Sequence, residues 1–296
     1  NTPPPVDYLL HADFDNRPIG PYAPADVKTD FQFDTNGYND PNEWFQDMDI
    51  VADPLASGRG NILRVKRYAN QGWDGIMSFR ADFAPVEDAY LAYDMYLAPG
   101  HEFMKQGKNP GLVTGTLLQA SHEFGVWPQP EGKLAFAALI LSFGDIAWGR
   151  GDGAMSTYYY DADEVMRDDF WDLSDPANDP SSPTYNQYLQ PTGRWITVEL
   201  RVKMNTVTEE GVSGLKDGLQ EVWVTDPQIN GGLPLKVSSR LHRWRITNTM
   251  KVDGLWMYQM YGGNGDLPEN QPSKVQYHYY DNFRVSTQPI THGSGI

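Results

Sequence analysis

Hydrophobic and polar residues alternate along much of this chain, most regularly between Trp195 and Met204. The apolar members of the pattern are Ile196, Val198, Leu200, Val202 and Met204, and the polar ones are Thr197, Glu199, Arg201 and Lys203. A period of two is that of a strand with one face on a core and one in solvent. The pattern therefore predicts a half-exposed antiparallel strand, and residues 219–224, after a loop at 216–218, are its predicted hairpin partner.

A second alternating stretch, residues 90–97, leads to a lysine of interest. Pro99 and Gly100 end this predicted strand, and the segment GKNPGL follows at residues 107–112. A proline flanked by residues that tolerate unusual dihedral angles is typical of a turn. We therefore predict a turn at 107–112 that presents Lys108 to a cleft. The alternative is an ordinary solvated lysine on a loop.

The remaining pattern is that of many short strands. Residues 134–143, LAFAALILSF, are apolar on both faces, which predicts a central strand covered on both sides. Further strands are predicted at 61–68, 76–83, 113–124, 156–160, 255–261 and 275–285, and an elaborated loop at 149–189. With no helical period, no internal repeat and 22 Pro and 28 Gly to interrupt helices, we expect an all-β sandwich that forms a single domain over residues 1–296.

Composition and charge narrow the classes of partner. A net charge of -16 argues against nucleic acid and anionic membranes as partners, and no apolar run approaches the ~20 residues of a membrane span. The absence of cysteine excludes disulfides and thiolate metal sites. The sequence starts at Asn1 without an initiator methionine, as a processed chain would. We expect a monomer that is secreted or periplasmic.

Three aspartates suggest a structural calcium ion. Asp13 and Asp15 follow a predicted first strand, and Asp281 lies in the last one. Calcium prefers carboxylate and carbonyl oxygens, and the three residues would meet if the first and last strands pair. The alternative is that these aspartates only cap ordinary turns.

Other candidates come from strand positions. Histidine is the side chain that can change charge near neutral pH, so His122, near Gln119, is a candidate base or sugar ligand, although such a histidine is more often a hydrogen-bonded wall residue. Tyr158 and Tyr160 lie two apart and so share one face of a strand. Phenols in a groove stack on sugars or transfer protons, and the alternative is plain packing.

Several segments together resemble polysaccharide lyase family 14. They are GKNPGL at 107–112, YYYDAD at 158–163, RWITVELRVKMNT at 194–206, DGLQEVWV at 217–224, MYGGNG at 260–265 and YYDNFRVS at 279–286. The resemblance implies a β-jelly-roll of the concanavalin A-like type with a concave sugar groove, and cleavage of alginate or a glucuronan. It also implies a catalytic Lys108 with Tyr158 and Tyr160. The serine and arginine that the family tends to carry on the preceding strand are absent from residues 134–141.

A uronate lyase needs three functions and no metal cofactor for its chemistry. It removes the proton beside the sugar carboxylate, offsets the charge that develops, and protonates the departing oxygen. Lys108 is the candidate base, and either tyrosine is the candidate proton donor. Candidates for binding or neutralising the acidic polysaccharide are Arg80, Gln119, His122, Arg150, Gln259 and Tyr261.

Two other classes of function remain open at this stage. A glycoside hydrolase needs two carboxyl groups across the scissile bond, for which Glu102 and Glu123 are one pair, although no predicted strand shows two acids spaced on one face with an aromatic platform. A noncatalytic carbohydrate-binding jelly-roll protein needs only aromatic platforms, and 9 Trp and 17 Tyr are available. Only the lyase forms an unsaturated product that absorbs in the near ultraviolet.

Overall fold

The fold was obtained as a computed structural model, which describes residues 7–31, 47–70, 77–104, 107–115, 135–143, 153–163, 165–169, 188–261, 268 and 271–292. Its strands are β1 Leu10–Ala12, β2 Gly20–Pro21, β3 Met48–Ala52, β4 Asn61–Arg67, β5 Met77–Val86, β6 Asp88–Leu97, β7 Gly107–Thr114, β8 Phe136–Phe143, β9 Ala154–Tyr160, β10 Val165–Asp169, β11 Trp195–Lys203, β12 Val207–Glu209, β13 Ser213–Gly214, β14 Gly218–Thr225, β15 Leu235–His242, β16 Val252–Tyr261 and β17 Gln276–Ser286. Helix α1 spans Pro24–Phe31, and a 3-10 turn spans Asn230–Gly232.

One large antiparallel sheet has the strand order β15-β14-β11-β6-β17-β4-β3-β2, with β1 added beside β17. The predicted hairpin is confirmed, because β11 pairs with β14 from Thr197 opposite Thr225 onward. The predicted pairing of the two chain ends is also confirmed, since Leu10 lies opposite Val285.

The second antiparallel sheet has the order β10-β9-β8-β7-β16-β5. The apolar strand β8 lies between β7 and β9, and its described side chains are buried on both faces, as predicted. β7 and β16 bring the lysine segment against the strand of residues 252–261.

The hydrophobic core lies between these two sheets. Leu91 and Tyr93 of β6 share it with Leu112 of β7 and Leu255 of β16. The short helix α1 adds Phe31, whose ring lies 5.1 Å from that of Phe79. The expected all-β sandwich is therefore present. No helix among the described residues has the length and apolar composition needed to cross a membrane.

Two local predictions need correction. Residues 107–114 form strand β7 and not a turn; Pro110 is accommodated because the β7–β8 register shifts between Asn109 and Gly111. A proline lacks the N–H for a ladder bond, so it enters a central strand only at such a bulge. The polar face of β11 is only partly exposed as predicted, with Lys203 exposed and Thr197 and Arg201 half-buried. Glu199 is fully buried because the backbone N–H groups of Ile290 and Thr291 donate to its carboxylate at 2.9 and 2.7 Å.

Candidate active site

The candidate site lies on the face of the second sheet that is turned away from the main core, here called the site face. Along β9, Met155 and Tyr159 belong to the main core, whereas Tyr158 and Tyr160 pack in a separate cluster on the opposite side. That cluster also contains Val113, Ala135, Ala137, Leu139, Trp256 and Tyr258. The prediction that Tyr158 and Tyr160 share one face of the strand is thus confirmed.

Lys108 sits on this face between two aromatic rings. Its Nζ lies 5.3 Å from the ring centroid of Tyr158 and 4.8 Å from that of Tyr258. Both distances are within the ~6 Å range in which an ammonium group is attracted to an aromatic ring. Tyr258 in turn stacks on Trp256, with ring centroids 4.4 Å apart and planes 8° from parallel. The ammonium group of Lys108, on β7, therefore contacts Tyr158 of β9 on one side and Tyr258 of the neighbouring strand β16 on the other.

The two tyrosines form a directional hydroxyl pair. The Tyr160 hydroxyl donates a hydrogen bond to the Tyr158 oxygen at 3.0 Å. Burial raises the pKa of Tyr158, and the bond from Tyr160 lowers it in part. Tyr158 therefore stays protonated at neutral pH, and its own proton is not used in the bond with Tyr160. This geometry suits Tyr158 to proton donation.

Arg80 is on the same sheet but is engaged elsewhere. Its Nε lies 2.6 Å from an oxygen of Asp82, its Nη2 lies 2.8 Å from Asp253, and its Nη1 donates to the Gly115 carbonyl. Burial raises the pKa of Asp253 while the Arg80 charge lowers it. Lys108 lies opposite Met260 of β16 and Arg80 opposite Trp256. Four residues along β16 and two strand spacings across it separate the two backbone positions by ~16 Å, so the structure does not bring these residues together.

The other predicted binding residues lie apart from Lys108 or outside the described residues. Gln259 is fully buried, and among the described residues neither its amide nitrogen nor its oxygen has a hydrogen-bond partner. It alternates with Tyr258, which places it on the core side. The backbone of Tyr261 pairs with Gly107, but its side chain is outside the described part of the chain, as are His122, Gln119 and Arg150.

Sequence reasoning missed Tyr258, whose ring is nearer to Lys108 than that of Tyr158. The strand LWMYQMY was predicted, and its alternation places Trp256 and Tyr258 on one face and Gln259 on the other. The signal that could have identified Tyr258 was therefore present, namely a pair of aromatic residues two positions apart that matches the pair on β9.

The predicted hydrolase pair is not assembled by the described residues. Both oxygens of Glu102 accept hydrogen bonds from Ser273, one from its backbone N–H at 2.6 Å and one from its hydroxyl. Lys274 adds an ion pair at 3.9 Å. Glu102 thus anchors residues 273–274, and Glu123 lies outside the described residues.

The aspartates predicted to bind calcium are divided between two places. Asp281 is buried opposite Asp94, and Arg59 Nη1 pairs with Asp94 and lies 3.6 Å from an oxygen of Asp281. Burial raises the pKa of Asp281 to about 7, and the charges of Asp94 and Asp15 add to this effect. Asp13 instead lies 3.7 Å from His11. No group of three or more potential metal ligands occurs among the described residues, so the calcium site stays a prediction.

Comparisons with known proteins agree with this picture. The family model for polysaccharide lyase 14 matches residues 64–283. One similar solved structure is that of alginate lyase Aly36B in complex with alginate tetrasaccharide, in a variant in which a lysine and a tyrosine are replaced by alanine. The match has a TM-score of 0.64 and 17% identity, and it covers 94% of this chain and 96% of that one. The PL-14 alginate lyase of Aplysia kurodai has a TM-score of 0.62 and 17% identity, with 94% and 98% covered.

A third solved structure is the endo-β-1,4-glucuronan lyase of the fungus Trichoderma reesei, with a TM-score of 0.51 and 10% identity, covering 95% of this chain and 96% of that one. These likenesses show that the sandwich is the β-jelly-roll fold. No curated protein sequence matches significantly.

Proposed function

Because the chain belongs to polysaccharide lyase family 14 and is a lyase of acidic polysaccharides, we propose that its substrate is alginate, cleaved by β-elimination inside the polymer. Similarity to alginate lyases supports alginate over glucuronan, since their TM-scores of 0.64 and 0.62 exceed the 0.51 of the glucuronan lyase. The Aly36B complex with alginate tetrasaccharide carries alanine in place of a lysine and a tyrosine, the two residue types that meet on the site face.

The observation that carries the proposal is the position of Lys108 beside the Tyr158–Tyr160 hydroxyl pair. In the proposed reaction, Lys108 acts at the carbon that bears the uronate carboxylate. In its neutral form Lys108 accepts the proton there. In the alternative, Lys108 stays a cation that offsets the charge developing on the carboxylate, and the phenolate form of Tyr160 accepts the proton. The electron pair left on that carbon forms the new double bond.

Tyr158 completes the elimination. The bond from the sugar to the glycosidic oxygen breaks, its electron pair stays on that oxygen, and the Tyr158 proton is transferred to it. No water is added, so one product ends in an unsaturated uronate and the other in an ordinary sugar. The raised pKa of Tyr158 keeps the proton available at neutral pH.

A panel of acidic polysaccharides tests the substrate and the reaction together. Polymannuronate, polyguluronate, mixed alginate and glucuronan are incubated with the protein, and near-ultraviolet absorbance, reducing ends and product size are followed. We expect absorbance and reducing ends to rise together on alginate, with oligomers as early products. New reducing ends without absorbance would indicate hydrolysis, and binding without either would indicate a lectin.

Lys108 variants test the proposed chemistry. Positioned proton transfer is worth ~10²–10⁴-fold, so Lys108→Ala is expected to lower kcat by at least about a hundredfold. Lys108→Arg keeps the charge but not a readily lowered pKa, so retained activity assigns Lys108 to charge neutralisation, and lost activity favours proton transfer. Lys66→Ala is the matched control, because Lys66 also lies over a tyrosine ring, 4.2 Å from that of Tyr68, but on the other sheet. Nearly full activity of Lys108→Ala would refute the assignment.

A further inference from the structure

We propose that Asn109 positions Lys108 from the core side of the sheet, through a chain of buried hydrogen bonds that also reaches the strand of Tyr158. The inference rests on the proposed function of Lys108. It gives a role in the same reaction to a residue that never meets the substrate. Asn109 is fully buried and faces away from the site, whereas Lys108 beside it is half-buried.

The backbone is paired at Lys108, which lies opposite Leu141 and Met260, but the pairing is irregular just beyond it. The register with β8 shifts between Asn109 and Gly111, and the register with β16 shifts between Trp256 and Met260, where Lys108 and Gly111 are the flanking partners. Pro110, within both shifts, has no N–H to donate. The ladder is thus interrupted after Lys108 on the β16 side and after Asn109 on the β8 side. At this irregular step a further interaction adds to the definition of the backbone position.

Asn109 supplies that interaction in the interior. Its Oδ1 accepts a hydrogen bond from the Tyr280 hydroxyl at 2.9 Å, and its Nδ2 donates to the Ser142 hydroxyl at 3.1 Å. Tyr280 belongs to β17 of the opposite sheet, and Ser142 belongs to the neighbouring strand β8. A single amide therefore ties the interrupted strand to both sheets. Buried hydrogen bonds of this kind have well-defined geometry because leaving a partner unpaired is costly.

The same chain continues towards the two tyrosines. Ser142 donates to the side-chain oxygen of Gln190, and the Gln190 backbone N–H donates to the Gly153 carbonyl at 2.7 Å. Gly153 precedes β9, which carries Tyr158. Its φ of +90° and the 2.7 Å that would separate an added Cβ from the Gln190 carbonyl show that only glycine fits this approach. The strands of Lys108 and Tyr158 are thus linked through one buried path.

A shift at Asn109 would therefore change the separation between Lys108 and Tyr158 without removing either. A misplacement of ~1 Å at reacting groups can cost about a hundredfold in rate. Binding of the rest of the polymer would be less affected, so the loss should appear in kcat and not in KM.

The test compares two buried asparagines. Asn205 is 1% exposed, and its side chain accepts from the Arg245 N–H at 2.9 Å and donates to the Arg245 carbonyl at 3.0 Å, which makes it a matched control away from Lys108. Both alanine variants lose comparable buried bonds. Measured well below both melting temperatures, Asn109→Ala is expected to lower kcat about ten- to a hundredfold with KM within about twofold, and Asn205→Ala to leave both nearly unchanged.

Two further measurements keep the inference falsifiable. Tyr280→Phe removes only the hydroxyl that donates a hydrogen bond to Asn109, and like Asn109→Ala it is expected to lower kcat. This variant therefore replaces Asn109→Ala if Asn109→Ala does not fold. The NMR titration of the Lys108 Cε signal, assigned with Lys108→Arg, should shift its midpoint in the Asn109 or Tyr280 variant but not in Asn205→Ala.

Equal kcat and equal Lys108 titration in the asparagine variants would overturn the positioning role. A parent protein without lyase activity on any polysaccharide would instead refute the proposed function, and the Lys108 titration would still decide whether Asn109 sets the environment of this lysine.

Discussion

Lowering the pH from 7 to 5 is expected to destabilise the folded protein through His278, a core histidine on β17. It is 2% exposed, and its Nδ1 lies 3.4 Å from the Tyr280 hydroxyl. Burial lowers the pKa of His278 well below its ordinary value of 6.5, and the neighbouring His101 and Arg67 lower it further. The folded protein therefore keeps this imidazole neutral at pH 5, whereas the unfolded chain protonates it.

The sign and the size follow from proton linkage. A group whose pKa is lowered by folding contributes stability above its unfolded pKa, and this stability is lost as the pH falls below that value. With an unfolded pKa near 6.5, one proton bound only by the unfolded chain amounts to about 2 kcal/mol between pH 7 and pH 5. Burial also lowers the pKa of His101, to about 3. His101 therefore also stays neutral in the folded protein at pH 5 and adds to the loss of stability in the same direction.

The assay is denaturant unfolding of the parent and of His278→Gln at pH 7, 6 and 5. The substitution lowers absolute stability through lost packing, but the informative quantity is the change with pH. This change should be about 2 kcal/mol smaller in His278→Gln than in the parent. His11→Gln, in which an exposed imidazole is removed, is the control. Equal losses in the parent and in His278→Gln would refute the reasoning.

Three further outcomes are expected. Tyr160→Phe removes the hydrogen bond that lowers the pKa of Tyr158, so the alkaline limb of the pH profile of kcat should move to higher pH. Because such a bond is worth ~1 kcal/mol, kcat should be about fivefold lower. An unchanged pH profile would contradict the hydrogen bond between the two hydroxyls. A bound calcium ion should raise the Tm and a chelator should lower it. An unchanged Tm would count against the calcium site and leave these carboxylates to Arg59 and to the hydrogen bonds from Thr197 and Asn282. Because a net charge of -16 repels a polyanion, raising salt from about 0.01 to 0.1 M should increase kcat/KM, and a steady fall would argue against this.

Strands with a regular alternation or a continuous run of apolar residues were predictable from the sequence. β11, β8 and β17 each carry enough alternating or continuous apolar residues for burial alone to decide their conformation. The same alternation correctly placed Tyr158 and Tyr160 on one face. These predictions succeed because they depend on neighbours along the chain, and not on which strand lies beside which.

The segment around Lys108 could not be predicted in this way. Pro110 argues locally for a turn, and only the paired strands β8 and β16, both distant in sequence, show that a bulge absorbs it. The burial of Glu199 has the same origin, since its partners Ile290 and Thr291 lie far along the chain. A polar residue in an alternating strand predicts exposure unless another segment covers it.

The placement of Lys108 on a strand changes what its chemistry requires. A lysine on a mobile turn would lose side-chain and backbone freedom each time substrate bound, whereas β7 has already fixed the backbone and the rings of Tyr158 and Tyr258 already confine the ammonium group. A preorganised charge of this kind acts on the developing carboxylate charge without further reorganisation. The guanidinium of Lys108→Arg is larger than the ammonium it replaces, so its activity measures the room between these two rings as well as the need for a transferable proton. Combining Lys108→Arg with Tyr258→Leu separates the two effects, because widening the gap restores activity only if space was the limitation.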